Sequence, residues 1–127
     1  MYYIVDTSKD FEKASSDLEA AVKNNGFGVL HIHNIGETLR SKGVTYEENC
    51  KVFEVCNPKH AARVLGIDVR LNMALPCRIS VYTEKKKTKI GMIMPKMILS
   101  TLSNDATLQE IATEVETATM KMINEAK

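Results

Sequence analysis

A chain of 127 residues with a formal net charge of +1 and 26% charged residues has the size of one domain, residues 1–127, and can bury most of its apolar surface in one core. The near-neutral charge gives no argument for nucleic-acid binding, which wants a basic face, and the 44% apolar content lies far from the signature of a disordered chain. Three cysteines, Cys50, Cys56 and Cys77, are odd in number and unevenly spaced, which predicts reduced thiols rather than a disulfide framework.

The opening MYYIVDTSKDFEKA lacks a basic segment followed by a long apolar run and a small-residue cleavage site, so it does not read as a signal peptide. No apolar run has the length to cross a bilayer. Together with the free thiols, these features predict a cytoplasmic protein with neither a membrane nor a nucleic acid as partner. A short strand is expected around Val5. The stretch TSKDFEKASSDLEAAVKNNG then reads as a helix with Phe11, Leu18, Ala21 and Val22 on one face, Thr7 or Ser8 as its cap, and Gly26 left-handed past its end.

FGVLHIHNI is rich in β-formers and too short for a helix, so it reads as a strand. Asn34 and Glu37 then have the spacing of a capping box for a short helix closed by Gly43. CKVFEVC reads as a second central strand, and NPKHAARVLG as a helix with Asn57 as N-cap, Pro58 at the first helical position and Gly66 after the last turn. Residues Ile67 to Leu75 read as a loop or a short helix stopped by Pro76.

CRISVYT and KIGMIMP form an antiparallel hairpin with a loose five-residue connection, whose Lys85, Lys86, Lys87 and Lys89 read as a solvated tip rather than a phosphate-binding patch. The last segment, TLQEIATEVETATMKMINEAK, is an amphipathic helix: Thr107 and Glu110 have capping-box spacing, while Leu108, Ile111, Val115, Ala118 and Met122 share a face. These elements predict an α+β two-layer sandwich, with a largely antiparallel sheet, helices on one face and a long C-terminal helix.

Chemistry is sparse. Cys56 ends a strand immediately before a helix N-terminus, a setting that lowers a thiol's pKa, yet a cysteine closing a strand is more often a small core residue. If the strands ending at Cys56 and starting at Cys77 are antiparallel neighbours, the two sulfurs lie near one another; if parallel, at opposite ends. His31 and His33 emerge on one face of their strand, but two ligands do not make a metal site and no zinc-binding spacing supplies the others. Met92, Met94 and Met97 read first as gap-fillers of the core. Nucleophile elbows, phosphate-binding loops and dinucleotide fingerprints are absent from the sequence.

The order FGVL, a helix ending in KG, CNPKHAARVL, then LPCRISVY resembles the bacterial and archaeal domain-of-unknown-function family 302, over the chain from about Phe27 to about Pro95 with flanking helices. The resemblance implies a compact α+β fold in a small homodimeric protein with no established activity, and it makes Cys56 and Cys77 part of the family's motifs. His31 and His33 lie outside that pattern.

The leading expectation is a ligand-binding module, whose cleft lies beside the Cys56-Asn57-Pro58 turn and is formed by Cys56, Asn57, Lys59, His60 and Cys77 around a small molecule. A thiol-dependent redox enzyme using Cys56 and Cys77 needs both proximity and a depressed pKa. A structural homodimer, with the motif cysteines serving the core, is the third. No cofactor and no metal ligand set can be named from the residues.

Overall fold

The computed structural model describes Met1–Lys127. Five strands, β1 (Tyr2–Thr7), β2 (Gly28–Asn34), β3 (Cys50–Cys56), β4 (Cys77–Glu84) and β5 (Lys87–Ile93), form one sheet in the order β1-β5-β4-β3-β2. Every pairing is antiparallel. Five α-helices, α1 (Phe11–Asn24), α2 (Ile35–Ser41), α3 (Pro58–Ile67), α4 (Pro95–Leu102) and α5 (Ala106–Ala126), and a 3₁₀ helix at Val69–Ala74 complete the α+β fold.

Period-two alternation decides what each sheet face carries. Phe53 and Val55 of β3, Ile79 and Val81 of β4, and Ile90 and Met92 of β5 are buried on one face, where they pack with Phe11, Leu18 and Val22 of α1 and Met122, Ile123 and Ala126 of α5. On the other face Asp6 pairs with Lys89 at 2.6 Å, and His33 Nε2 meets Glu54 Oε1. Tyr2, Ile4 and Ile93 are exposed. Gly91 is required there: a Cβ on it would meet Ile4 Cγ1 at 2.9 Å and the Tyr3 carbonyl at 3.0 Å.

A second hydrophobic cluster lies beyond the end of the sheet and joins Val64 of α3, Leu71 of the 3₁₀ helix, Leu99 of α4, and Leu108, Ile111, Ala112 and Val115 of α5. The first half of α5 therefore serves this cluster and its second half the sheet. The face Leu108, Ile111, Val115 and Met122 is buried as its periodicity predicts, and Ala118 packs against the sheet cluster.

Several boundaries differ from the sequence-based expectation, each for a local reason. The cap of α1 is Asp10, whose Oδ1 accepts from Lys13 N at 2.7 Å; Thr7 and Ser8 cannot start the helix because β1 runs to Thr7, paired with Thr88. Asp105, not Thr107, caps α5 by accepting from Leu108 N at 2.9 Å, and a carboxylate there also meets the positive end of the helix dipole. Gly66 lies inside α3, because the helix continues to Ile67, which packs against the second cluster. Residues 95–102 form α4 with Pro95 in its first turn; Pro95 therefore leaves the strand KIGMIMP, which ends at Ile93, and residues 96–102 carried no element from sequence.

The hairpin is tighter than expected. Lys85 and Lys86 alone connect Glu84 and Lys87, with φ of 51° and 66°, the left-handed pair of a two-residue turn that favours Asn-Gly. Lys86 holds it partly through its backbone N–H, which donates to Glu48 at 3.2 Å, and its Nζ, which donates to the Glu47 carbonyl at 3.1 Å. Lys89 belongs to the strand and not to the solvated tip. The double substitution Lys85→Asn, Lys86→Gly should raise stability by roughly 1 kcal/mol, from the cost of left-handed backbone in side-chain-bearing residues, read as a higher urea midpoint. An unchanged or lower midpoint would mean that the Lys86 side-chain contact outweighs the backbone strain.

Candidate functional site

The corner where β3 ends and β4 begins gathers most of the residues singled out above. Because β3 and β4 are antiparallel with Val55 opposite Cys77, Cys56 and Cys77 come close together rather than to opposite ends of the sheet. Asn57 then turns the chain into α3: its Oδ1 accepts from Lys59 N at 3.0 Å and His60 N at 3.2 Å, and Pro58 occupies the first turn. The N–H groups expected to depress the Cys56 pKa are thus occupied by Asn57.

The thiols shift the other way. Burial raises Cys56 above its ordinary value. Burial, reinforced by the neighbouring Cys56, pushes Cys77 up to about 11. Cys77 is the one residue that packs against both hydrophobic clusters, so its sulfur sits at the seam between them. At neutral pH all three cysteines are free, protonated thiols.

His60 faces this seam from α3. Its ring is tilted on Phe27 with centroids 5.8 Å apart, and its Nε2 lies 3.3 Å from Glu114 Oε2, which Arg63 also approaches at 3.1 Å. Its Nδ1 is buried without a hydrogen-bond partner.

Two cavities flank Leu75, Pro76 and Cys77, and their sizes differ. The one bounded by Cys56, Asn57, His60, Phe27 and Val64 measures about 30 Å³, the space of about one water molecule. The other, on the far side of Pro76, measures about 260 Å³. Its walls come from Val52 of β3, Arg78 and Ser80 of β4, Met92 and Ile93 of β5, Ala74 and Leu75 after the 3₁₀ helix, and Pro95, Ile98 and Leu99 of α4. Leu75-Pro76 is a cis peptide. Asp68 anchors the 3₁₀ helix by accepting from Arg70 N at 2.9 Å and pairing with its guanidinium at 2.7 Å, which holds the Asp68 carboxyl at about 2.

Four of the five residues expected to form the cleft, Cys56, Asn57, His60 and Cys77, do line one cavity, the small one. Lys59 is exposed and lines neither. Only Cys77 also borders the large cavity. The part of that wall from α4, Pro95, Ile98 and Leu99, was missed because Pro95 reads as the end of the strand KIGMIMP and residues 96–102 carried no assigned element; Pro95 followed by apolar residues at 98, 99 and 102 was the available signal, as in Pro58 and α3. His31 and His33 stack edge to face with centroids 4.4 Å apart, and Glu54 takes the His33 Nε2 contact. No group of three or more His, Cys, Asp or Glu side chains is placed to hold a metal ion.

This combination, a five-stranded antiparallel sheet with two packed helices and an apolar cavity at one corner, defines a small α+β protein of the sheet-and-helix class. The chain belongs to the family described as "Domain of unknown function DUF302", whose profile matches residues 3–126. It is similar to the crystal structure of an uncharacterized conserved DUF302 protein from Bacillus stearothermophilus, at 36% sequence identity and a TM-score of 0.93 over 99% of this chain and 98% of that one. No curated protein matches. No helix is long and apolar enough to cross a membrane.

The raised Cys77 pKa has a consequence for stability. A thiol that the fold keeps protonated contributes its full stabilisation below the unfolded value of 9.0 and loses it as pH rises towards about 11. The stability difference between wild type and Cys77→Ala should therefore be constant below pH 9 and narrow between pH 9 and 11, measured by urea unfolding at each pH. A difference that stays constant to pH 11 would place the thiol in water.

Proposed function

We propose that this chain is a ligand-binding module and that its ligand is a small, mainly apolar molecule held in the larger corner cavity. The observation that supports this most strongly is the wall itself: about 260 Å³ lined by 12 residues, eight of them hydrophobic, with the polar side chains of Arg78 and Ser80 contributed by one strand. An apolar concavity with a few convergent polar groups is the usual form of a small-molecule site. At roughly 30 Å³ per water-sized group, such a site takes a ligand of about nine non-hydrogen atoms.

The thiol-dependent alternative needs a thiolate, and burial moves both Cys56 and Cys77 away from that state. Cys77 serves the module instead as a wall shared by both cavities. A homodimer through the uncovered sheet face has weaker support, because the Asp6–Lys89 and His33–Glu54 pairs interrupt the apolar surface there, and charged groups are depleted from the cores of interfaces.

The test uses 1-octanol, a neutral probe of nine non-hydrogen atoms, followed by NMR of backbone amides. Saturable shifts are expected at Ala74, Cys77, Ser80 and Ile98, and Ala74→Phe, which fills the cavity from the 3₁₀ side, should abolish them while the protein stays folded. Linear or scattered shifts that survive Ala74→Phe would refute the proposal.

A further inference from the structure

We infer that the ligand of the corner cavity is an anion, a short-chain carboxylate whose tail lies on the apolar wall and whose carboxylate is received by Arg78. The inference rests on the cavity being a ligand site, and it adds the chemistry of the head group.

Arg78 is the one charged residue among those lining the cavity. Its place on β4 sets it opposite Glu54 of β3, the partner that would ordinarily neutralise it across the strands. That neutralisation is incomplete. Glu54 gives its Oε1 to His33 Nε2, and its Oε2 stays 3.9 Å from the Arg78 guanidinium, beyond hydrogen-bond distance. The hydrogen bond from His33 is also the leading influence that lowers the Glu54 pKa, with Arg78 a minor one. The five N–H donors of Arg78 thus make no hydrogen bond within the chain, in a geometry that matches a carboxylate through two parallel bonds.

Ser80 lies two residues further along the same strand, so its hydroxyl emerges on the same face as Arg78 and borders the same cavity. Its hydroxyl makes no hydrogen bond within the chain. A guanidinium and a hydroxyl on one wall, with no carboxylate among the lining residues, select a negative head group over a positive one. The remaining wall, from Val52, Leu75, Ile98 and Leu99, offers nothing to the hydroxyls of a sugar or polyol, whose burial there would leave donors and acceptors unpaired. An acid with an apolar chain satisfies both parts of the site.

Heptanoate and 1-octanol have the same number of non-hydrogen atoms and differ in the charge of the head, so amide NMR titrations of the two on wild type, Arg78→Gln and Arg78→Lys isolate the guanidinium. Arg78→Gln should weaken heptanoate roughly fivefold or more, the size of a partly exposed charge pair, and leave 1-octanol within about twofold; Arg78→Lys should recover part of the heptanoate affinity. Equal loss for both probes, or heptanoate binding untouched by Arg78→Gln, overturns the carboxylate assignment while the cavity remains a site for neutral ligands. Binding of neither probe at the cavity amides overturns the assignment together with the proposed function.

Discussion

The structure of the corner depends on one strand register, the pairing of Val55 in β3 with Cys77 in β4. It points Val55, Cys77, Ile79 and Val81 towards the helices and Arg78 and Ser80 towards the opposite face. A slip of one residue would exchange these two sets, sending Arg78 into the core and Cys77 out of it. The register is held because Val55, Ile79 and Val81 are fully buried, and each such side chain is worth about 1.5–3 kcal/mol relative to exposure.

From that register the cavity follows by subtraction. The sheet cluster and the second cluster are joined by α5, whose Leu108 and Ile111 are fully buried in one and whose Met122 and Ile123 are fully buried in the other. Cys77 fills the seam on the helix side. On the opposite side the 3₁₀ helix and α4 stand at the end of the sheet rather than over it, because Leu71 and Leu99 face the second cluster. The space left between them and the strands is bounded by Val52, Ser80 and Ile98. In protein interiors such apolar spaces are few, since cores pack close to crystal density.

Much of the fold was legible in local sequence, and the reason is visible at Asn57 and Pro58. A cap that accepts from N–H groups two and three residues ahead and a proline with its fixed φ act within one turn and need no partner from elsewhere. Alternation in CKVFEVC and CRISVYT likewise announces strands. The hairpin turn was not legible, because its two residues are lysines in left-handed backbone, one of which, Lys86, is held by Glu47 and Glu48 from another part of the chain. The larger cavity was barely legible for a related reason: of Cys56, Asn57, Lys59, His60 and Cys77, singled out by motif, only Cys77 borders it, because it is a space between five elements and α4 contributes three of its lining residues. Whether Cys56 and Cys77 meet depended on strand direction, which residue order alone leaves open.

The proposed function requires that the apolar-lined cavity at this corner, about 260 Å³, stand open. Crystals of the protein under xenon pressure test it most directly, since xenon occupies dry apolar cavities without needing a polar partner. The account predicts a xenon peak among Val52, Leu75, Ile98 and Leu99. A map with no xenon there, and with the Ile98 or Met92 side chain turned in to fill the space, would contradict it.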